Sequence, residues 1–141
     1  MINKIKIANK VAWKFVGTPY KWGGDDPSGF DCSGLIVEIL QSVGLIDRNK
    51  DFTAAELLDI FKPYSVLTPT AGCLVFWGKR NSITHVEYCI DEFYTIGASG
   101  GGSKTISKED AITQNAYVKV RPIEGGREKY SMIVNPFKRG Y

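Results

Sequence analysis

A single cysteine stands where a glycine-rich loop gives way to a helical pattern, in the stretch "GFDCSGL". Cys32 occupies the first turn of the predicted helix, and Asp31 precedes it as the expected N-cap. Unpaired backbone N–H groups and the helix dipole place partial positive charge there, which favours the thiolate, the nucleophilic form of cysteine. Ser33 and Gly34 add little bulk, so the thiol stays accessible. Because the negative charge of Asp31 opposes a thiolate, a second cation is expected near Cys32.

The only histidine of the chain, His85, is the candidate for that cation. It lies on a predicted strand in "THVEYCI", where the alternation of residues places His85 and Glu87 on the same strand face. A cysteine–imidazole pair is the usual way to activate a thiol for acyl transfer. A lone histidine more often has a structural role, and a lone cysteine near glycines is weak evidence for catalysis. Neither residue therefore decides the function by itself.

Three helical patterns come before the histidine. The first covers residues 2–16 and places its apolar residues on one stripe, with lysines largely opposite. A glycine-rich loop over 18–31 follows, and the second helix, over 32–43, carries the cysteine. Thr53 and Glu56 form a predicted capping box, which marks the start of a third, short helix.

Strand-forming residues follow the helices. Runs at 72–78, 83–91 and 92–99, separated by short turns, predict an antiparallel meander, and residues 116–123 alternate like another strand. Helices first and strands second predict the α+β class, with helices packed on one face of an antiparallel sheet. Neither an internal repeat nor a linker is visible. The prediction is therefore a single domain over residues 1–141.

Composition argues against several other classes of protein. The net charge of +3 comes from scattered Lys and Arg, which does not indicate nucleic-acid binding. Three cysteines do not suit a disulfide framework, and no zinc-site spacing occurs. Cys73 and Cys89 lie in apolar strand-like runs and are predicted to be core residues. No apolar run approaches the length of a membrane span, and lysines interrupt the N-terminal segment, so no secretory signal is predicted.

Three blocks, "PYKWGGDDPSGFDCSGL", "ITHVEYCI" and "IGASGGG", together resemble the NlpC/P60 papain-like cysteine peptidases of bacterial cell-wall metabolism. The resemblance runs from about Thr18 to Gly102. It implies a helix that carries Cys32 and packs on an antiparallel sheet that carries His85. It also implies hydrolysis of an amide in the peptidoglycan stem peptide, commonly between D-Glu, through its γ-carboxyl, and the diamino acid. Cys32 would attack the carbonyl, and His85 would hold the thiolate and then protonate the leaving amine.

The same resemblance implies roles for four more residues. Tyr20 matches the family tyrosine that reaches the cysteine and the oxyanion region. Asp31 and Ser33 are implied to contact the polar end of the stem peptide. Trp22 is implied to wall the groove, with core packing as the open alternative. One departure lies at Cys73, where the family usually has Asp.

A second departure concerns the residue that orients the histidine. The family normally has a polar residue (His, Asn or Gln) about a dozen positions after the histidine, and the matching position here is Gly97, which has no side chain. Glu87 stands where the family usually has glycine, and because it shares the strand face of His85 it could orient the ring instead. The alternatives are an ordinary, partly exposed Glu87 and an orienting role for Ser99 or a bound water.

Three functions stay open at this point. The first is an active cell-wall peptidase, the second a family member that grips stem peptides without cutting them, and the third an amidase or thioesterase of similar fold. Gly97 favours the second, whereas the intact Cys32 and His85 oppose it. The expected partner is the peptidoglycan stem peptide, with no nucleic acid and no membrane, and the chemistry needs neither a metal nor an organic cofactor. We expect a monomer, made in the cytoplasm without a signal peptide, that acts on the cell wall as a phage lysin, a tail-associated enzyme or a domain excised from a larger protein.

Overall fold

The computed structural model describes residues 2–26 and 29–139, so residues 27 and 28 of the predicted loop lie outside the described residues, as do the ends of the predicted domain. The helices in the described part are α1 (Ile2–Lys14), α2 (Cys32–Ser42), α3 (Ala54–Phe61) and α4 (Lys108–Gln114). The strands are β1 (Asp25–Asp26), β2 (Gly29–Phe30), β3 (Ser65–Val66), β4 (Leu74–Lys79), β5 (Ser82–Cys89), β6 (Tyr94–Ser99), β7 (Tyr117–Pro122) and β8 (Met132–Val134). Short 3-10 helices occupy Lys62–Tyr64 and Pro136–Lys138.

Six of the strands form one antiparallel sheet in the order β3-β8-β4-β5-β6-β7. The predicted meander is its centre, because β4, β5 and β6 are neighbours both in the sheet and along the chain. The C-terminal segment adds β8, which pairs with β3 on one side and β4 on the other. The α+β class predicted from the order of the elements is therefore confirmed.

Helix α2 fixes the cysteine to the sheet. Asp31 caps its N-terminus, since the Asp31 Oδ1 accepts a hydrogen bond from the Gly34 N–H at 2.7 Å. The apolar side of the helix packs against β5 and β6. Its fully buried residues are Leu35, Ile36, Ile39 and Leu40. Burial of each such side chain contributes about 1.5–3 kcal/mol, so the start of α2 has little freedom to move relative to the sheet.

Strand β5 sends side chains to both faces of the sheet. Val86 and Tyr88 belong to the main core, together with α1, α2 and α3. His85 points to the opposite face, where it lies across from Trp77 of β4. The register between β4 and β5 shifts immediately after Trp77, and a bulge of this kind re-aims the side chains next to it.

Other sequence-based predictions hold with small corrections. The loop predicted over residues 18–31 contains the hairpin β1–β2, because strands of two residues are too short to produce a visible alternation. Thr53 and Glu56 form both hydrogen bonds of the predicted capping box. Cys73 and Cys89 are fully buried, as predicted. The first helix ends two residues earlier than its apolar stripe suggested.

Candidate active site

The N-terminus of α2 and the strands β5, β6 and β7 border one open groove of about 570 Å³. This volume is within the ordinary range for ligand pockets. Both predicted catalytic residues, Cys32 and His85, line the groove. Tyr20, Trp22 and Arg121 line it as well.

Cys32 is the first residue of α2 and is partly exposed. Its Sγ lies 3.9 Å from the carbonyl oxygen of Thr84, so the start of the helix stands directly beside the strand of the histidine. Backbone N–H groups and the helix dipole give this first turn partial positive charge, as the sequence predicted. The thiol is thus accessible from the groove and adjacent to N–H donors.

The imidazole of His85 is held on one side by a carboxylate. With Glu87 ionised, the His85 Nε2–H donates a hydrogen bond to the Glu87 Oε2 at 2.6 Å, which leaves Nδ1 for the thiol of Cys32. The ring also packs against Trp77, with the ring centroids 5.6 Å apart. Burial lowers the pKa of His85, but hydrogen bonds with Cys32 and Glu87 outweigh it and raise the pKa to about 9. A cationic imidazole at neutral pH supplies the positive charge expected near Cys32.

Glu87 is completely buried, so the alternative of an ordinary, partly exposed glutamate is wrong. Its Oε1 accepts hydrogen bonds from the Thr95 hydroxyl at 2.6 Å and from the Arg127 Nη1 at 3.0 Å. Its Oε2 accepts a bond from the Arg127 Nη2 at 3.2 Å as well as the one from His85. Burial alone would raise the pKa of this carboxyl. The hydrogen bond from His85 and its positive charge, together with the hydrogen bonds from Arg127 and Thr95, outweigh burial and lower the pKa to about 2. An ionised, fixed carboxylate against the imidazole has the geometry of an orienting group.

Gly97, on β6, lies beside Glu87 of the neighbouring strand β5. Gly97 is one residue beyond Ile96, the partner of Tyr88, and the nearest atoms to a Cβ at Gly97 belong to the Glu87 side chain. A Cβ at Gly97 would overlap the Glu87 Cγ and lie 2.7 Å from its Cδ. The place where the family resemblance expects a polar side chain is therefore filled from the neighbouring strand. Ser99, two residues further along β6, makes no hydrogen bond to the imidazole within the described part of the chain.

The comparison with protein families decides the identity of this domain. The NlpC/P60 family model matches residues 17–122, which include the groove residues described above. The chain belongs to the NlpC/P60 family.

Several known proteins resemble this NlpC/P60 domain in sequence or structure. Probable peptidoglycan endopeptidase LytE of Bacillus subtilis (strain 168) is 42% identical over 104 residues, which are 73% of this chain and 30% of LytE. The bifunctional muramidase/DL-endopeptidase CwlT of the same organism is 42% identical over 81 residues, which are 55% of this chain and 24% of CwlT. The chain thus spans less than a third of the length of these curated relatives.

Solved structures agree with the NlpC/P60 assignment. The NlpC/p60 domain of the peptidoglycan hydrolase SagA superposes with a TM-score of 0.68 at 28% identity, over 92% of this chain and 97% of that chain. The peptidoglycan hydrolase RipB from Mycobacterium tuberculosis gives a TM-score of 0.67 at 19% identity, over 94% of this chain and 64% of that chain, and shows the shared fold alone. The predicted papain-like fold is confirmed.

Two of the residues implied by the NlpC/P60 resemblance form a wall of the groove. Tyr20 is buried, and this burial, followed by the charges of Cys32 and Asp31, raises the pKa of its phenol to about 12. Its hydroxyl therefore remains a hydrogen-bond donor over the working range of most enzymes. Trp22 is 54% exposed, so the alternative of core packing is wrong for this residue.

Asp31 and Ser33 are placed by the start of α2. Asp31 is occupied as the N-cap, and its Oδ1 also accepts a hydrogen bond from the Ser33 Oγ at 3.4 Å. Burial raises the pKa of Asp31, although the bond from the Gly34 N–H acts in the opposite direction. Within the described residues neither side chain lines the groove itself, so their contact with a stem peptide stays a prediction.

The sequence-based predictions did not include three polar residues of this NlpC/P60 site, Thr95, Arg121 and Arg127. Arg127 is only 7% exposed and stacks over the ring of Trp77 at 3.9 Å. It reaches Glu87 from a segment 40 residues further along the chain that reads as a polar tail, so no local pattern connects the two. The signal that could have pointed to such a partner was a glutamate on a strand of the predicted sheet, because a buried carboxylate needs cationic or hydrogen-bonding neighbours.

The groove offers a thiol, an imidazole, a phenol and a guanidinium to a bound molecule. In residues 2–26 and 29–139, no group of three or more His, Cys, Asp or Glu side chains is arranged to hold a metal ion. None of the helices described is both long and apolar enough to cross a membrane.

Proposed function

We propose that this domain is a cysteine endopeptidase that hydrolyses an amide bond in the stem peptides of peptidoglycan. The observation that carries the proposal is the position of His85, which donates a hydrogen bond to buried Glu87 and lines the same open groove as the thiol of Cys32. A nucleophile, a base and a group that orients the base are the parts required for thiol-based acyl transfer.

In the first half-reaction the Cys32 thiolate attacks the carbonyl carbon and forms a C–S bond. The negative charge moves to the carbonyl oxygen, where N–H groups at the start of α2 and the Tyr20 hydroxyl are the available donors. Collapse of this intermediate breaks the C–N bond while the His85 imidazolium gives its proton to the leaving amine. The products of this step are a thioester on Cys32 and a free amine.

In the second half-reaction water attacks the thioester. The neutral His85 accepts the proton of this water as the new C–O bond forms. Collapse breaks the C–S bond, so the thiolate of Cys32 and the imidazolium of His85 are restored. The net reaction consumes one water and yields one carboxylic acid and one amine. Glu87 favours the charged imidazole throughout and keeps its ring in one orientation.

The substrate class is supported by the relatives. LytE is named a probable peptidoglycan endopeptidase, and CwlT is named in part a DL-endopeptidase. We extend these activities to the present domain and assign the bond between the γ-carboxyl of D-Glu and the diamino acid, which the family resemblance also implies. Trp22 would wall the bound peptide, and Asp31 and Ser33 would contact its polar end.

The binding-only alternative was favoured by the missing side chain at Gly97. Glu87 fills that place and accepts a hydrogen bond from His85, and this contact supports the peptidase over a member that only binds. An amidase or thioesterase of similar fold would use the same chemistry and differ in its products.

Digestion of purified peptidoglycan, followed by mass spectrometry of the released peptides, tests the proposal. We expect new ends at the γ-carboxyl of D-Glu and at the amino group of the diamino acid. These products should disappear with Cys32→Ala and persist with Cys73→Ala, which removes a buried thiol instead. Retained wall binding without products between about pH 5 and 9 would favour the binding-only alternative, since acid–base catalysis should show within that range. Release of the whole stem peptide from the glycan would identify an amidase.

A further inference from the structure

Arg121 presents a guanidinium to the same groove as the thiol and the imidazole. It lies on β7, and its side chain is 35% exposed and lines the groove beside Cys32 and His85. Arg127, the other arginine near the site, is 7% exposed and stacks on Trp77. The two arginines therefore face different surroundings, one the protein interior and one the groove.

Arg121 is not needed to satisfy the carboxylate of Glu87. Both Glu87 oxygens already accept hydrogen bonds, from His85, Thr95 and the two terminal nitrogens of Arg127. The Arg121 Nη1 lies 3.9 Å from the Glu87 Oε2, beyond hydrogen-bond distance, and Arg121 donates no hydrogen bond to any residue in the described part of the chain. Its N–H groups are thus available to a molecule in the groove.

The balance of charge at the site also favours an anion. When Cys32 is a thiolate and His85 an imidazolium, these two charges cancel, and the charge of Glu87 is cancelled by Arg127. Arg121 also lies within ion-pair distance of Glu87, at 3.9 Å, so three positive groups share one carboxylate and the site keeps one net positive charge. No Asp or Glu is present among the described side chains that line the groove.

We propose that Arg121 binds a carboxylate of the stem peptide next to the scissile amide. This inference rests on the proposed function and adds a determinant of specificity to it. A guanidinium and a carboxylate form two parallel, charge-assisted hydrogen bonds, a geometry that a lysine does not reproduce. A stem peptide cut at the γ-carboxyl of D-Glu offers two such groups, the α-carboxylate of D-Glu and the side-chain carboxylate of a diaminopimelate.

The test compares synthetic stem peptides that differ in one functional group. One pair has D-Glu with a free α-carboxylate or with a carboxamide there, and a second pair has diaminopimelate or lysine as the diamino acid. With Arg121→Gln, we expect kcat/KM for the carboxylate peptide of one pair to fall about 10- to 100-fold, mainly through KM, as loss of a charge-assisted hydrogen bond predicts. The matching peptide without that carboxylate should lose far less. The pair that shows the difference identifies the bound carboxylate.

Two variants serve as controls. Arg121→Lys keeps the positive charge but cannot form two parallel hydrogen bonds to a carboxylate. It should therefore recover only part of the difference in kcat/KM between the two peptides of a pair. Arg80→Gln removes an exposed arginine from the turn between β4 and β5 and should leave kcat/KM unchanged for all four peptides. An equal loss on all four peptides, with a displaced alkaline limb of the pH–rate profile, would mean that Arg121 acts through Glu87 and would overturn the inference. Unchanged kinetics with Arg121→Gln would overturn it as well.

Binding measurements separate this inference from the proposed function. Isothermal titration of the same peptides into the Cys32→Ala protein, with and without Arg121→Gln, reports carboxylate recognition without turnover. If the wild-type protein cleaves none of the peptides but the carboxylate peptide binds more tightly only when Arg121 is present, the peptidase proposal fails and the carboxylate site stands. If Arg121→Gln leaves the binding of every peptide unchanged, the carboxylate site is wrong.

Discussion

The side chain of Glu87 occupies the space that Gly97 leaves open on the neighbouring strand. A Cβ at position 97 would overlap the Glu87 Cγ and lie 2.9 Å from its Oε2, so each residue limits the choice at the other. Relative to the family pattern, the group next to the imidazole comes from β5 instead of β6. The contact with His85 is still a short hydrogen bond of 2.6 Å. The side chain that is missing at position 97 is thus replaced by the carboxylate of Glu87.

Gly97→Ala should therefore destabilise the protein by about 1–3 kcal/mol and lower activity, because the added methyl pushes Glu87 from its position. Chemical denaturation measures the free energy of unfolding. Gly102→Ala is the matched control for stability, since nothing lies within 4 Å of a Cβ there. In a Glu87→Ala background, Gly97→Ala should lower the free energy of unfolding far less, as a double-mutant cycle would show. An undiminished cost in that background would mean that the strain lies elsewhere.

His85 should titrate well above the usual histidine range. Its pKa of about 9 reflects hydrogen bonds with Cys32 and Glu87 that outweigh burial, so the imidazolium persists at neutral pH and is lost as the pH rises through about 9. Because the chain has one histidine, its imidazole signals in NMR need no assignment. Glu87→Gln removes a negative charge and should lower the pKa of His85, and the alkaline limb of the pH–rate profile should move down with it. A pKa that stays the same in Glu87→Gln would contradict the orienting role.

The parts of the site that could be predicted are those with local signals. The loop-to-helix junction identifies Cys32 with its N-cap, and the regular alternation from His85 to Tyr88 places His85 and Glu87 on one face. Both follow from backbone geometry over a few residues, which a sequence displays directly. The order of helices and strands was sufficient for the α+β class in the same way.

The remaining parts depend on contacts between distant segments. Glu87 could be placed beside His85, but its complete burial and its bonds to Arg127 arise only when β8 and the chain before it close on the sheet. The strand β3 and the hairpin β1–β2 have two residues per strand, too few for a periodic pattern. Likewise, the meaning of Gly97 required the register between β5 and β6, which determines the side chain that it faces.

Arg127→Gln should destabilise the protein by about 1–3 kcal/mol, because it removes two hydrogen bonds to the buried carboxylate of Glu87 and leaves that carboxylate with His85 and the more distant Arg121 as positive neighbours. We also expect kcat to fall more than KM rises, since Arg127 touches Glu87 and not the groove. Arg127→Lys restores the positive charge but not the bidentate hydrogen bond. It should therefore recover part of the lost stability and part of the lost kcat. Denaturation and steady-state kinetics on folded protein measure the two effects. Full activity in folded Arg127→Gln would show that Arg127 has a purely structural role.

Cys32 should be the one cysteine that iodoacetamide modifies in the native protein at neutral pH. Cys73 and Cys89 are fully buried, and burial raises the pKa of the Cys89 thiol far above its usual range. Mass spectrometry should find a single added group on the native wild-type protein and none on Cys32→Ala. The same reaction in denaturant should add three groups and so verifies that all thiols are reduced. Reaction of Cys32 no faster than a free thiol would contradict its activation by His85 and the helix N-terminus.

Tyr20→Phe should lower kcat by up to about 100-fold with a small change in KM, as expected when one donor to the developing oxyanion is lost. The pKa of Tyr20, about 12, keeps its hydroxyl protonated across the active range, so the loss should be nearly independent of pH below that value. Tyr94→Phe removes the hydroxyl of a half-exposed tyrosine outside the groove and should leave kcat unchanged. Gly101→Ala offers an independent check, because a Cβ there would overlap the Tyr20 ring and displace the hydroxyl without removing it. If Tyr20→Phe raises KM and spares kcat, the phenol binds the substrate in its ground state and does not stabilise the oxyanion.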